Sequence, residues 1–161
     1  MRAEADYRDL SFWHASLPGA LGPRPALQTE TRCDVAIVGA GYTGLWTAWY
    51  LRQLEPSLAV TIVEAETAGF GASGRNGGWC SAWLSGIEHW LDDPAQRDGA
   101  IRLQRLMFQT VRDVGAVAAR EALDCHYERA GALQIAVNYA QVERLEQELR
   151  YVRELGFDDA D

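Results

Sequence analysis

The sequence predicts an α/β fold that is built on a parallel βαβ unit. The short apolar run Val35–Val38 is rich in β-branched residues and ends in glycine, which is typical of a buried parallel strand. A helical pattern follows over about residues 42–54, and a second strand is predicted over residues 59–63. Two strands separated by one helix within about 30 residues indicate a parallel crossover.

Local sequence features predict the burial and the ends of each element of this unit. The first strand is expected to be fully buried, because its run is apolar on both faces. The helix is expected to end before Pro56, because proline cannot continue a helix. Its side chains available for packing are Leu45, Ala48, Trp49 and Leu51. The second strand, Ala59-Val60-Thr61-Ile62-Val63, is predicted to stop at Glu64.

The chain divides into three segments. Residues 1–32 form an N-terminal arm with turn signals such as Pro18-Gly19, and we expect it to wrap the domain rather than join its sheet. Phe12 and Trp13 can anchor this arm against the core or form a local hydrophobic cluster, and we favour the cluster. Residues 33–92 contain the βαβ unit and a second glycine-rich loop, and residues 93–161 follow it.

The last segment is predicted to begin with a long amphipathic helix. Asp93-Pro94 is typical of a helix cap followed by a first-turn proline, and apolar residues then recur at spacings of three and four to about Glu121. Residues 126–137 have strand character, as two short strands or one bent strand around Gly131. A final helix is expected to end at Gly156.

The composition argues against several classes of partner. The 161 residues include 23 acidic side chains against 15 basic ones, all arginine, for a formal net charge of -8. An acidic surface repels nucleic acid and anionic lipid, so we expect neither as a partner. The three cysteines lack the paired spacing of a zinc or redox site, and no metal site is predicted. With no signal peptide or membrane span in the sequence, a cytoplasmic location is expected.

A glycine motif follows the first strand. Its six residues are Gly39, Ala40, Gly41, Tyr42, Thr43 and Gly44, in the pattern G-x-G-x-x-G. In a strand-to-helix turn, the first glycine permits the tight bend, the second lets a pyrophosphate approach, and the third lets helix and strand pack closely. Free N–H groups at the helix N-terminus then bind the phosphates. The alternative is a plain structural turn.

Glu64 follows twenty residues after Gly44, at the end of the second strand. An acidic side chain at this position accepts hydrogen bonds from the adenosine ribose, and it disfavours the 2′-phosphate of NADP. The sequence therefore predicts a Rossmann-type FAD/NAD(P)-binding unit.

A second glycine-rich loop returns at residues 69–78, where a plain NAD site would have its next helix. Its amides, hydroxyl and guanidinium can form an anion site against the other side of a pyrophosphate, with Arg75 pairing to phosphate. The alternative is a mobile surface loop with Arg75 in an ion pair. The candidate residues of this loop are Gly71, Ala72, Ser73, Arg75, Asn76, Gly77 and Gly78.

Residues 34–44, the pair Glu64-Ala65 and residues 71–78 together resemble the N-terminal part of the FAD-dependent D-amino-acid oxidase superfamily, near its gamma-glutamylputrescine oxidoreductase-like enzymes. The resemblance implies FAD, with its ADP half over residues 39–44, Glu64 and Ala65, and its pyrophosphate and flavin near residues 73–78. It implies oxidation of the C–N bond of a small amine or amino acid by hydride transfer to FAD, with oxygen or another molecule as electron acceptor.

The resemblance has further consequences. Some members attach the flavin through a histidine in the second loop, where this chain has Arg75, so non-covalent FAD is expected. Members are several hundred residues long, so we expect an incomplete fold that ends early in an α+β substrate domain, and inactivity and weak FAD binding of these 161 residues alone. We assign no catalytic residue, since the cofactor carries most of the chemistry. An NAD-dependent dehydrogenase domain and a non-catalytic dinucleotide-binding module remain alternatives.

Overall fold

The computed structural model describes residues 7–19 and 21–158. They divide into two compact units, one on each side of the bond between Trp79 and Cys80. The first unit contains the βαβ crossover, and the second consists of helices and connecting loops.

The βαβ unit is confirmed. Strand β1 spans Val35–Val38 and strand β2 spans Val60–Val63, and the two pair in parallel with Val35 opposite Val60. The connecting helix, which we number α2 because a shorter helix precedes it, spans Tyr42–Leu54. Its end is capped by the N–H of Glu55, which donates to the carbonyl oxygen of Leu51 at 2.8 Å, directly before the proline.

The prediction that the first strand is fully buried was wrong. Residues of β1 alternate between half-buried and exposed, and Val38 keeps 88% of its surface accessible. The reason is that the sheet has two strands in the part of the chain that the structure describes, with helix α2 packed against them. An apolar strand is buried on both faces only where both faces are covered.

The N-terminal arm contains a 3₁₀ turn, Tyr7–Leu10, and a short helix α1, Phe12–Ser16. Its described residues form no strand, as expected. Helix α1 begins with Ser11 as its cap, because the hydroxyl of Ser11 accepts the N–H of His14 at 3.2 Å. Between this helix and β1 the described residues run without helix or strand.

Over residues 80–158 the second unit has three helices: α3 over Glu88–Leu91, α4 over Arg97–Arg120 and α5 over Tyr139–Glu154. They surround an apolar cluster of buried side chains, namely Ile87, Leu91, Ala100, Leu155 and Phe157. Helix α5 ends as predicted, with Gly156 at a φ of 80° in the left-handed region that glycine adopts without strain. No helix in residues 7–19 or 21–158 is long and apolar enough to cross a bilayer.

The long helix begins later than its sequence pattern suggests. The carboxylate of Asp93 accepts the N–H of Ala95 at 2.9 Å and so closes a turn rather than capping the helix itself. The helix starts three residues after Pro94, at Arg97, and ends one residue before Glu121.

The predicted strand over residues 126–137 was also wrong, because the structure has no strand there. His126 and Gly131 have φ values of 52° and 79°, which interrupt an extended backbone on both sides of Tyr127. Tyr127 packs against α4 instead, where its hydroxyl donates to the carbonyl oxygen of Val111 at 2.7 Å. The absent side chain of Gly115 makes room for its ring.

Candidate cofactor site

The first glycine loop joins β1 to α2 with the geometry that its motif requires. Gly39 has a φ of 99°, and its N–H donates to the carbonyl oxygen of Val63 at 2.8 Å, so the bend starts from the end of the sheet. A Cβ on Gly44 would overlap the carbonyl oxygen of Gly39 and lie 3.3 Å from Cγ2 of Ile37. The helix can therefore approach the strand only because residue 44 has no side chain.

The first turn of α2 offers backbone donors. Within the described part of the chain, the N–H groups of Gly41, Thr43 and Gly44 have no hydrogen-bond partner. The N–H of Tyr42 differs, because it donates to the hydroxyl oxygen of Ser73 at 3.0 Å. Three free amides at a helix N-terminus, together with the helix dipole, favour a negatively charged group beside the turn.

Glu64 lies directly beside this turn. Its Oε2 accepts the N–H of Ala40 at 2.8 Å, and its Oε1 accepts the N–H of Glu66 at 3.1 Å. These backbone hydrogen bonds, that from Ala40 first, lower the pKa of Glu64 below its ordinary value of 4.5. The side chain is exposed and ionised at neutral pH. Its hydrogen bond from the N–H of Ala40 connects it to the backbone of the glycine motif.

The second glycine loop is hydrogen-bonded to the first. Besides the bond from Tyr42 to Ser73, the N–H of Gly69 donates to the carbonyl oxygen of Ala40 at 3.0 Å. Asn76 adds a third link, because its Nδ2 donates to the hydroxyl of Tyr42 at 3.2 Å. The structure thus brings both glycine-rich segments and Glu64 together.

The side chains of Ser73 and Asn76 also form hydrogen bonds within the protein. The Ser73 hydroxyl accepts an amide of the first loop, and it fills the space beside Gly41, where a Cβ would lie 3.0 Å from Oγ. The Asn76 amide also donates to the carbonyl oxygens of Ala72 and Ser73, at 3.2 and 2.9 Å, and its Oδ1 accepts the N–H of Gly78 at 2.7 Å. These side chains shape the loop itself.

Arg75 is held in place through part of its guanidinium. Its Nε donates to the carbonyl oxygen of Phe70 at 2.7 Å, and the guanidinium carbon lies 4.6 Å from the centre of the Phe70 ring. In the described chain Arg75 forms no ion pair, contrary to the surface-loop alternative, and its two Nη nitrogens have no protein partner. The side chain is exposed, so its remaining donors face solvent.

The other candidate positions differ in their surroundings. Ala40 is buried and Ala65 is exposed. A side chain at Gly71 or Gly77 would meet no atom within 4 Å, whereas one at Gly78 would meet the ring of Trp13. The first two glycines therefore border open space beside the loop.

Four residues of the N-terminal arm contact this region, and sequence reasoning favoured a local cluster for one of them and gave the others no place in the site. They are Tyr7, Ser11, Trp13 and His14. Trp13 does more than join a local cluster, because its Nε1 donates to the carbonyl oxygen of Asn76 at 2.7 Å. Phe12, by contrast, is 73% exposed and contacts the Trp13 ring at 5.1 Å between centroids. The available signal was the adjacent aromatic pair Phe12-Trp13, next to a serine that can cap a helix.

Comparison with known proteins decides the family. A sequence model described as FAD dependent oxidoreductase matches residues 34–160. The chain belongs to this FAD-dependent oxidoreductase family. FAD is accordingly its cofactor, which confirms the sequence prediction and decides against the NAD-dependent alternative.

Curated relatives of this chain agree with the family assignment. It is 35% identical over 138 residues to gamma-glutamylputrescine oxidoreductase of Escherichia coli (strain K12), covering 86% of this chain and 32% of that protein. It is 35% identical over 106 residues to a probable oxidoreductase, OrdL, of Rhizobium meliloti, covering 64% of this chain and 24% of that protein. The chain thus spans a third or less of the length of these relatives. No solved structure matches it.

The residues present in this family member fit an FAD molecule. A dinucleotide needs amide donors for its diphosphate and an acceptor for its ribose. The first turn of α2 supplies free amides, a Cβ at Gly39 in the loop before it would meet no atom within 4 Å, and the Glu64 carboxylate adjoins the same backbone.

Proposed function

We propose that the first glycine loop and Glu64 hold the ADP half of FAD, and that residues 71–78 border its pyrophosphate and flavin, in an enzyme that oxidises the C–N bond of a small amine or amino acid. One observation carries the proposal. The Glu64 carboxylate accepts the N–H of Ala40 at 2.8 Å, so the ribose acceptor and the phosphate-facing amides belong to one hydrogen-bonded unit.

The diphosphate would be held by local donors. A chain with a formal net charge of -8 repels a dianion at long range, so attraction has to come from groups in direct contact. The free amides of Gly41, Thr43 and Gly44 and the dipole of the 13-residue helix α2 supply it on one side. On the other side, the unpartnered Nη groups of Arg75 can form a two-pronged contact with phosphate oxygens.

The ribose would be held by Glu64. An ionised carboxylate has about four lone-pair sites, and the amides of Ala40 and Glu66 occupy one on each oxygen. The carboxylate therefore keeps acceptor capacity for a hydroxyl of the adenosine ribose. A 2′-phosphate in that position would face a carboxylate, and this disfavours NADP.

The cofactor and the relatives support this reaction. When bound, FAD supplies a two-electron acceptor for the hydride that leaves the carbon next to the amine nitrogen. An amine substrate is supported by the 35% identity to gamma-glutamylputrescine oxidoreductase. The protein's part is to hold the cofactor in place. Arg75 cannot form a covalent bond to the flavin, and this supports non-covalent FAD.

The cofactor site is tested with the full-length protein and two matched substitutions. Glu64→Gln removes one of the carboxylate's acceptor oxygens, and we expect FAD to bind about 10- to 100-fold more weakly, as for the loss of one charge-assisted hydrogen bond. Glu55→Gln is the control, because Glu55 is also exposed and accepts a backbone N–H, that of Ser57, but at the other end of α2. Equal affinities in the two variants would contradict the proposal.

The substrate class is tested by adding gamma-glutamylputrescine, putrescine or glycine to the FAD-loaded protein under nitrogen. Loss of the blue flavin absorbance with any of these amines supports C–N oxidation. Persistent absorbance with all three, while dithionite bleaches the flavin normally, would contradict it.

A further inference from the structure

We propose that the N-terminal segment Tyr7–His14 is part of the cofactor site, as a clamp that fixes the shape of the second glycine loop, with Ser11 and Trp13 as its main positioning residues. The inference rests on the proposed function, since it concerns how this chain binds FAD. The clamp precedes the βαβ unit in sequence and lies outside the glycine motif.

Ser11 binds the loop backbone through a defined proton arrangement. Its Oγ donates to the carbonyl oxygen of Gly74 at 2.6 Å and lies 2.8 Å from Nδ1 of His14. A serine hydroxyl has one hydrogen, and Gly74 accepts it, so Nδ1 of His14 must carry the proton of the second contact. The imidazole is 4% exposed, and this arrangement fixes its tautomer.

The loop is built to receive these side chains. Gly74 lies against the His14 ring, and a Cβ there would approach Cε1 to 2.6 Å and overlap the carbonyl oxygen of Gly69. Gly78 lies against the Trp13 ring in the same way, with its φ at 76° and a hypothetical Cβ 2.5 Å from Cζ2. Two glycines of the loop therefore make room for side chains of the clamp.

Trp13 connects the clamp to the first turn of α2. Its indole N–H donates to the carbonyl oxygen of Asn76 at 2.7 Å, and the side chain of Asn76 donates to the hydroxyl of Tyr42 at 3.2 Å. The chain of contacts thus runs from the arm, through the loop, to the helix that carries the free amides. Residues 13 and 76 are 63 positions apart in sequence, so the contact orders the two segments relative to each other.

Tyr7 connects the clamp to the ribose side. Its hydroxyl donates to Oε2 of Glu66 at 2.7 Å, and the N–H of Glu66 is one of the two amides bound to Glu64. Tyr7 is 6% exposed, and its ring meets Phe70 edge-on at 6.2 Å, while the Arg75 guanidinium also lies over the Phe70 ring. The clamp therefore contacts the supports of both Glu64 and Arg75.

Such contacts affect affinity through preorganisation. A glycine-rich loop has many accessible conformations, and a ligand that must order it binds more weakly by the cost of that ordering. A loop already fixed at Gly74, Asn76 and Gly78 presents its donors in one arrangement. Loosening the clamp is then expected to weaken FAD binding even though no clamp residue belongs to the phosphate-binding turn.

The test uses the full-length protein and two small changes with matched controls. Ser11→Ala removes the hydroxyl that binds Gly74, and Trp13→Phe removes the indole N–H while keeping an aromatic ring. Ser11→Thr keeps a hydroxyl for rescue. Ser16→Ala is the control on the same helix, because the Ser16 hydroxyl binds the carbonyl oxygen of Trp13 and not the loop.

Two readouts are measured, the dissociation constant for FAD and amide hydrogen exchange over residues 72–78 without FAD. We expect Ser11→Ala and Trp13→Phe to bind FAD about 2- to 10-fold more weakly and to exchange faster in the loop, as for the loss of one neutral hydrogen bond. Ser11→Thr and Ser16→Ala should match the unaltered protein on both readouts.

The outcomes separate this inference from the function on which it rests. If the unaltered protein does not bind FAD, the proposed function is wrong. If it binds FAD and both Ser11→Ala and Trp13→Phe bind FAD as tightly as the unaltered protein, the clamp is refuted. It is refuted likewise if Ser16→Ala weakens binding as much as Ser11→Ala.

Discussion

The contact between Gly44 and β1 gives the sharpest prediction, for the substitution Gly44→Ala. A new Cβ would overlap the carbonyl oxygen of Gly39, which is backbone and cannot rotate away, and would lie 3.3 Å from Cγ2 of Ile37. Restoring ordinary separations requires the start of α2 to move by roughly 1 Å. The free amides beside Gly44 move with it.

The magnitude follows from two opposing effects. Overpacking of this kind costs about 1–3 kcal/mol, and replacing a helical glycine by alanine returns up to about 1 kcal/mol. We expect a net loss of about 1–2 kcal/mol in the free energy of unfolding. Displacing the amides should also remove at least one charge-assisted hydrogen bond to the diphosphate, which corresponds to about tenfold or more in FAD affinity.

The chain provides a close control in Gly99→Ala. Gly99 is the third residue of α4, as Gly44 is of α2, and its nearest neighbour for a new Cβ is the end of the Arg102 side chain at 3.9 Å. This change should stabilise the protein by about 0.5–1 kcal/mol and leave FAD affinity unchanged. Urea denaturation and FAD titration measure both effects. Indistinguishable results for the two alanine variants would refute the packing argument.

Two further predictions concern stability. The pKa of Glu64 is lowered in the folded protein, so its contribution to stability is present above the ordinary value of 4.5 and is lost as the pH falls through the folded pKa. Glu64→Gln should therefore flatten the acid limb of stability, measured by thermal melts against pH, and a limb that matches that of the unaltered protein would count against this prediction. Gln104 is fully buried, accepts the N–H of Leu84 at 3.2 Å and donates to the carbonyl oxygen of Ala82 at 2.9 Å. Gln104→Leu should lower the free energy of unfolding by about 2–4 kcal/mol, because both backbone groups lose their partner, and an unchanged denaturation midpoint would exclude this role.

The crossover was predictable because its signals are local. The apolar run of β1, the glycine bend and Pro56 each act within a few residues, and the structure places these boundaries within a residue of the prediction. Residues 126–137 show the opposite case. Their β-branched and apolar content favours a strand, but a strand also needs a neighbouring one, and the left-handed backbone at His126 and Gly131 interrupts the run.

The sequence predicted the positions of the candidate site residues better than the hydrogen bonds that connect them. The positions of Gly39, Gly44 and Glu64 follow from spacing along one βαβ unit. The bond from Ser11 to Gly74 does not, because 63 residues separate the partners and no periodicity relates them. Polar side chains such as Ser73 and Asn76 are equally ambiguous in sequence, since the same donors can serve a ligand or their own loop.

Because of Ser73, the first glycine loop cannot be moved to another protein without the second. The Tyr42 amide in the first turn of α2 is capped by Ser73, a residue 31 positions further along the chain. The N-cap residue of the helix, Gly41, has no side chain that could take this place. A graft that transfers only the G-x-G-x-x-G segment into another scaffold would leave the Tyr42 amide without its acceptor. Transplanting this site therefore means moving residues 39–44 and 69–78 together, as one part.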